Sequence, residues 1–203
     1  MIATDDLESY LDSNKRIQYK LTDSLKDLGS EGVVLVIIDA VEYASTNMGL
    51  IGFFEKRVMP GVFVSVNKPL VDLLVKLPHT EFVNTQVEFV DCISQMSGAK
   101  EIESERAHYL ESPQQLVELS MMIHKLVQQI EGKKFLIVDS LSTLLIYNKA
   151  EAIEKFVHSI SNKIRSEHVF GVLLMIKTDE NRDVIKILSQ FSDSVVEVHD
   201  KSI

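Results

Sequence analysis

Short apolar runs alternate along this chain with segments of helical period, and this alternation constrains the fold more than any other feature. The runs have strand length and are rich in Val, Ile and Phe, which is typical of strands covered on both faces. They are VVLVII, GVFVSVN, VEFVDCIS, KKFLIVDS, HVFGVLLMI and SVVEV. Strands separated by helices are joined by right-handed crossovers, which make the strands parallel. The sequence therefore predicts an α/β fold: a single-domain three-layer αβα sandwich with a mostly parallel sheet.

Apolar residues at helical spacing fill the segments between the strands. Residues 1–30 are predicted to form an N-terminal helical segment packed on a core domain of residues 31–203. The apolar face of this helix and the glycine that ends it are Ile17, Leu21, Leu25, Leu28 and Gly29. The clearest amphipathic face consists of Ile153, Phe156, Val157, Ile160 and Ile164. Residues 95–110 are polar and aperiodic, which predicts a loop.

The acidic balance of the chain limits its partners. Its 203 residues carry a formal net charge of -9, and the basic residues are scattered rather than collected in one strip. A uniformly acidic surface repels polyanions, so we expect neither nucleic acid nor an anionic membrane as a partner. A role in DNA recombination is the least favoured function for the same reason.

Cysteine use and hydropathy favour a cytoplasmic protein. The single Cys92 cannot form an internal disulfide, and its apolar surroundings predict a buried, inert thiol. The N-terminus shows no signal-peptide core, and no apolar stretch approaches the ~20 residues that a membrane helix needs. We therefore expect a cytoplasmic location.

Three segments carry a resemblance to a known family. The stretch FLIVDSLSTLL, which contains Asp139 and Ser140, resembles the Walker B strand of the RecA superfamily in its KaiC-like branch. The stretch PGVFVSVNKPLVDLLVKL resembles that family's second strand and helix, and DVIKILSQFSDSVVEV resembles its closing helix and strand. The three segments, with the first strand, span residues 33–198 in the family's order. The resemblance implies a RecA-type core, of the archaeal type that lacks intact motifs.

The segment that aligns with the family's phosphate loop has lost the residues on which that loop depends. A loop of the form G-x-x-x-x-G-K-[ST] uses glycines to converge its amides on phosphate, and its lysine supplies positive charge. Here residues 33–48 contain no glycine and residues 27–55 contain no lysine or arginine. The aligned polar positions are Asp39, Glu42, Ser45, Thr46 and Asn47. We therefore expect a degenerate loop, no ATP or Mg²⁺ as cofactor, and at most a weak anion site where a helix begins near Ser45.

The second strand also departs from the family pattern. The resemblance implies acidic residues at its end, which activate the attacking water in KaiC-like ATPases. Asn67 and Lys68 stand there instead, and neither can act as that base. No catalytic residue is therefore assigned, and ATPase activity is not expected.

The remaining acids allow two interpretations. Asp139 and Ser140 can cap the turn after their strand, which we favour over a role in holding Mg²⁺. Alternatively, Asp39, Glu42 and Asp139 lie close enough together to form a weak divalent-cation site with oxygen ligands. The histidines show no metal-ligand spacing, so no metal site is assigned.

Three functions remain open from the sequence. The first is a non-catalytic RecA/KaiC-like domain that regulates or scaffolds through protein contacts, either with a protein partner or by self-association. The second is a KaiC-like nucleotide-binding protein or weak ATPase with an atypical loop. The third is a small-molecule or metal sensor, with a polar pocket lined by Asp39, Glu42, Ser45 and Asn67. The first is favoured because two separate parts of the hydrolytic machinery are missing.

Overall fold

The computed structural model describes residues 4–26, 28–29, 31–76 and 86–198. The strands are β1 (Gly32–Ile38), β2 (Gly61–Ser65), β3 (Val87–Asp91), β4 (Ala107–Tyr109), β5 (Lys134–Asp139), β6 (Val169–Ile176) and β7 (Ser194–Val198). The helices are α1 (Thr4–Lys26), α2 (Tyr43–Glu55), α3 (Leu70–Lys76), α4 (Ser94–Ser97), α5 (Leu116–Gln129), α6 (Leu141–Tyr147), α7 (Ala150–Ser166) and α8 (Arg182–Ser189). A short 3₁₀ turn, Ala40–Glu42, joins β1 to α2.

The strands form one sheet in the order β4-β3-β2-β5-β6-β1-β7, and every pair in it is parallel. The central strands are buried along their length, as their continuous apolar runs predicted. This confirms the predicted fold class, and each of the six predicted strands is present. Parallel strands end at the same edge of the sheet, so the segments that follow β1, β2 and β5 share one edge.

Helices cover the sheet on both faces and create two hydrophobic cores. Successive residues of a strand point to opposite faces, so β1 divides its side chains between the two cores. One core contains apolar residues of α5, α6, α7 and α8. The other contains residues of α1, α2 and α3. The buried residues of α1 in this second core are Ile17, Leu21 and Leu25.

A glycine lets α1 approach α2 closely. A Cβ added at Gly49 would lie 3.0 Å from Leu21 Cδ2 and 3.4 Å from Gln18 Cα. Further along, Lys26 of α1 and Phe53 of α2 line a common pocket. Gln18 lies beside Gly49, and Lys26 lies beside Phe53, so the residue numbers increase in the same direction along both helices. Helices α1 and α2 are therefore parallel.

The region between β3 and α5 is more ordered than its sequence predicted. The prediction of a loop over residues 95–110 is wrong in part, because β4 pairs with β3 and α4 occupies Ser94–Ser97. Strand β4 has only three residues, all half-buried, so its sequence carries no alternating pattern. The hydroxyl of Tyr109, at its end, accepts a hydrogen bond of 2.7 Å from the Ile102 amide.

A buried carboxylate ends β3 and organises the chain beyond it. Asp91 Oδ2 accepts hydrogen bonds from the Leu70 amide and the Ser94 hydroxyl, both at 2.6 Å. Its Oδ1 accepts from the amides of Ile93 and Ser94, both at 2.8 Å. One side chain therefore holds the starts of α3 and α4. Next to it, Cys92 is buried, as predicted.

In the part of the chain that the structure describes, none of the helices combines the length and the hydropathy that a membrane span requires.

Candidate functional site

The backbone amides of the turn between β1 and α2 donate hydrogen bonds to acceptors within the same turn. The Asp39 amide donates to Glu42 Oε2 at 3.2 Å, and the Glu42 amide donates to the Asp39 carbonyl at 3.0 Å. The Tyr43 amide donates to the Ala40 carbonyl. These donors are therefore engaged within the turn and do not converge on a common point outside it. Only four residues, 39–42, separate the strand from the helix.

Asp139, at the end of β5, is the centre of the polar cluster at this edge. Its side chain is 1% exposed. Its Oδ2 accepts a hydrogen bond of 2.5 Å from the Tyr43 hydroxyl and one of 3.2 Å from Asn47 Nδ2. Tyr43 and Asn47 are four residues apart on α2, so they lie on the same face of that helix. The first turn of α2 thus reaches across β6 to hold the carboxylate.

Burial and hydrogen bonding act in opposite directions on this carboxyl group. Burial raises the pKa of Asp139 to about 6, against the lowering effects of the Tyr43 and Asn47 hydrogen bonds and the nearby Lys68 charge. Burial also raises the pKa of Tyr43, and the negative charge of Asp139 raises it further. The phenol therefore keeps its proton and acts as a donor to Asp139.

Three side-chain oxygens, one on Asp139 and two on α2, have no hydrogen-bond partner among the described residues. They are Asp139 Oδ1, Asn47 Oδ1 and Thr46 Oγ1, and each is buried. Water is the simplest partner for such groups, because buried polar atoms are nearly always hydrogen-bonded.

The end of β2 packs against the end of β5. The amides of Val66 and Asn67 donate to the Asp139 carbonyl at 2.7 and 3.3 Å. The Ser65 hydroxyl donates to the Lys68 carbonyl at 2.5 Å, which fixes the turn that follows. The Lys68 ammonium lies 5.0 Å from the centre of the Tyr43 ring. The structure thus brings both residues at the end of the second strand, Asn67 and Lys68, next to the Asp139 cluster.

The predicted residues Ser45, Thr46 and Asn47 lie inside α2 rather than at its start. The helix begins at Tyr43, two residues before the predicted start near Ser45. All three are buried. The apolar residues that follow in α2 draw its first turn into the core, so the polar residues there are covered.

The predicted acidic residues and the Ser140 hydroxyl do not form one common site. No group of three His, Cys, Asp or Glu side chains in the described part of the chain could hold a metal ion, so the cation site on Asp39, Glu42 and Asp139 is not supported. Ser140 is the residue preceding α6, and its hydroxyl lies 3.1 Å from that of Thr143. The Asp139 carboxylate binds side chains of α2, so its role is not the capping of its own turn.

Sequence reasoning missed Tyr43 as the main partner of Asp139. The available signal was an aromatic hydroxyl and an amide four residues apart just after the first strand. Their target lies two strands away in the sheet order, and a sequence does not state that order.

The fold is similar to that of a protein of solved structure. The chain has a RecA-like core, similar to that of the KaiC-like protein PH0186 from the hyperthermophilic archaeon Pyrococcus horikoshii OT3. The two share 14% sequence identity at a TM-score of 0.60, over 85% of this chain and 74% of that one. Residues 55–198 match DUF7504, a family of unknown function, and the chain belongs to that family. No curated protein matches the chain.

Proposed function

We propose that this protein is a non-catalytic RecA/KaiC-like domain that acts as a regulatory or scaffolding subunit through protein contacts. The observation that carries this proposal is the engagement of Asp139. Its Oδ2 is bound by Tyr43 and Asn47 from the same chain, in a position that a hydrolytic enzyme would keep open for a metal ion or water.

The charges around Asp139 support the same conclusion. Hydrolysis of a nucleotide needs a carboxylate that a metal ion or water can reach, whereas Asp139 is buried. The turn before α2 adds Asp39 and Glu42, which repel a polyphosphate at close range. The residues beside it at the end of β2, Asn67 and Lys68, provide no general base.

Exposed apolar side chains at the same edge support a contact function. Val41, in the turn after β1, is 87% exposed, and Ile146, in the helix after β5, is 76% exposed. The edge that carries ligands in open α/β sheets is in this protein suited to a protein partner.

A second candidate function is favoured by one residue. Lys68 lies over the Tyr43 ring and contributes positive potential at Asp139, so it places a cation beside the edge where the phosphate-loop lysine is missing. A KaiC-like nucleotide-binding protein with an atypical loop would use this ammonium to contact phosphate.

Titration calorimetry with ATP and Mg²⁺ on the full chain separates the two candidates. We expect no saturable heat up to millimolar ATP, and no phosphate release above the blank rate. Stoichiometric micromolar binding would overturn the non-catalytic proposal. If that binding were lost in Lys68→Ala and kept in Lys56→Ala, a lysine at the end of α2 on the opposite edge, the second candidate would replace it.

A further inference from the structure

An open groove lies between α5 and α7 on the outer surface of the helical layer. Its volume is about 470 Å³, and apolar side chains form most of its wall. Val117 and Met121, which are four residues apart on α5, are 70% and 65% exposed. Ala152 and Phe156 face them from α7 with the same spacing. Two helices thus present a continuous apolar surface of the kind that receives the apolar stripe of a third helix.

The charges of the groove are opposite to those of the chain as a whole. Lys155 and Lys163 line it, and no carboxylate does so among the described residues. Lys163 is held in place, because its ammonium donates to the Ser120 hydroxyl at 3.1 Å. The chain carries a net charge of -9, so this local excess of positive charge is unusual. The occupant that fits is a helix whose apolar stripe is flanked by acidic residues.

The N-terminal sequence of the chain has this composition. Residues 5–12, DDLESYLD, contain four acidic residues and no basic one. Leu7, Tyr10 and Leu11 are spaced three and four residues apart, which is the spacing of one helical face. The acidic charge and apolar spacing of this segment complement the lysines and the apolar wall of the groove.

Helix α1 begins before the point at which its neighbour α2 starts. Gln18 lies beside Gly49, and α2 begins at Tyr43, six residues before Gly49. Because the two helices run parallel, the start of α2 lies beside residue 12 of α1. Helix α1 begins eight residues earlier, at Thr4, so it extends about 12 Å past the start of its neighbour at 1.5 Å per residue.

A chain cannot fill its own groove. The buried residues of α1 belong to the core on one face of the sheet, whereas α5 and α7 belong to the core on the other. We propose that residues 4–12 of one copy dock in the α5–α7 groove of a second copy. This inference rests on the proposed function, and it names a second copy of the chain as the partner and the groove as the contact. Such a contact joins two different surfaces, so it builds open chains or closed rings rather than a symmetric dimer.

The contact is expected to be weak and sensitive to salt. About two helical turns bury much less than the ~1,200 Å² of a stable complex, and its ion pairs are exposed. Association should therefore appear at micromolar to millimolar concentration and decrease as the salt concentration rises.

Sedimentation velocity of the full chain tests this assembly. The groove variant is Met121→Ser/Lys155→Glu, and the arm variant is Leu7→Ser/Leu11→Ser. We expect the native chain to form larger species as its concentration rises and each variant to remain monomeric. An equal mixture of the two variants should form a dimer and nothing larger, since one intact arm meets one intact groove. Lys125→Glu is the matched control, because Lys125 is exposed on α5 outside the groove and the charge change is the same.

A labelled peptide of residues 1–16 provides a second measurement that does not depend on assembly. Its fluorescence anisotropy should rise on titration with the arm variant, whose groove is intact. We expect at least a tenfold weaker affinity for a chain that also carries the groove substitutions, and circular dichroism establishes that each variant is folded.

A native chain that stays monomeric and does not bind the peptide overturns the inference. Association that persists in the groove variant, or a mixture that fails to form dimers, overturns it as well. None of these results changes the outcome of the ATP titration, so a failure of this inference can be distinguished from a failure of the proposed function.

Discussion

The ionisation of Asp139 should make the protein less stable as the pH rises. Its pKa in the folded chain is about 6, against an ordinary value of 3.8, because burial penalises the charged form. Between these values the folded state binds more protons than the unfolded state, so the free energy of unfolding falls as the pH increases. The contribution is fully present below pH 3.8 and is lost as the pH passes through 6. At 1.36 kcal/mol per pKa unit the loss amounts to about 3 kcal/mol.

The substitution Asp139→Asn removes this ionisation and keeps the shape of the side chain. Its carbonyl oxygen can still accept the Tyr43 hydrogen bond. We expect the difference in unfolding free energy between the variant and the native chain to shift in favour of the variant by up to about 3 kcal/mol between pH 4 and pH 7. Urea denaturation followed by circular dichroism at half-unit pH steps measures this difference. The reasoning is refuted if the difference is constant across that range.

The same substitution at another carboxylate, Asp193, should change the free energy of unfolding with pH in the opposite direction. Burial tends to raise the pKa of Asp193, but the Val33 amide and the Arg165 guanidinium outweigh it and leave the pKa lowered. Asp193 therefore contributes stability above its ordinary pKa that is lost on acidification. Asp193→Asn should lose stability at neutral pH relative to the native chain, and the loss should vanish in acid.

Three further predictions concern packing and chemistry. Lys134→Met should lower the free energy of unfolding by about 2 kcal/mol in urea denaturation, because the substitution removes the two hydrogen bonds that the buried ammonium donates to the Val127 and Ile130 carbonyls at the end of α5. Gly61→Ala should prevent soluble folding, since the new Cβ would lie 2.4 Å from the Phe135 ring, whereas Gly52→Ala meets no atom within 4 Å and should raise the melting temperature through higher helix propensity. Cys92 should not react with a thiol reagent until urea unfolds the chain, because burial raises its pKa and excludes the reagent.

The sheet could be predicted from the sequence where its strands are fully buried. Runs such as 33–38 and 169–176 are apolar at every position because both faces are covered, and their length rules out a membrane helix. Strand β4 could not be predicted, because three half-buried residues at a sheet edge carry no periodic signal. A local sequence pattern identifies a strand only when burial of both faces makes its apolar run continuous.

The sequence predicted which residues belong to the candidate site, but it did not predict how they contact one another in space. Asp139 and Lys68 were predicted at the ends of their strands, and the carboxyl ends of parallel strands meet at one edge of the sheet. The pairing of Asp139 with Tyr43 depends on the order of β1, β6 and β5 in the sheet and on the angle at which α2 leaves the turn. Both are set by long-range packing, which a local pattern does not contain.

The four hydrogen bonds on Asp91 have a consequence for how this edge of the molecule opens. Three amides from two separate segments of the chain, Leu70 in one and Ile93 and Ser94 in the other, donate to this one carboxylate. Opening any of these turns leaves the buried Asp91 carboxylate without some of its hydrogen-bond donors. We therefore expect α3, α4 and the end of β3 to exchange their amide hydrogens as one cooperative unit. A single substitution, Asp91→Ala, should convert that unit into segments that fray independently.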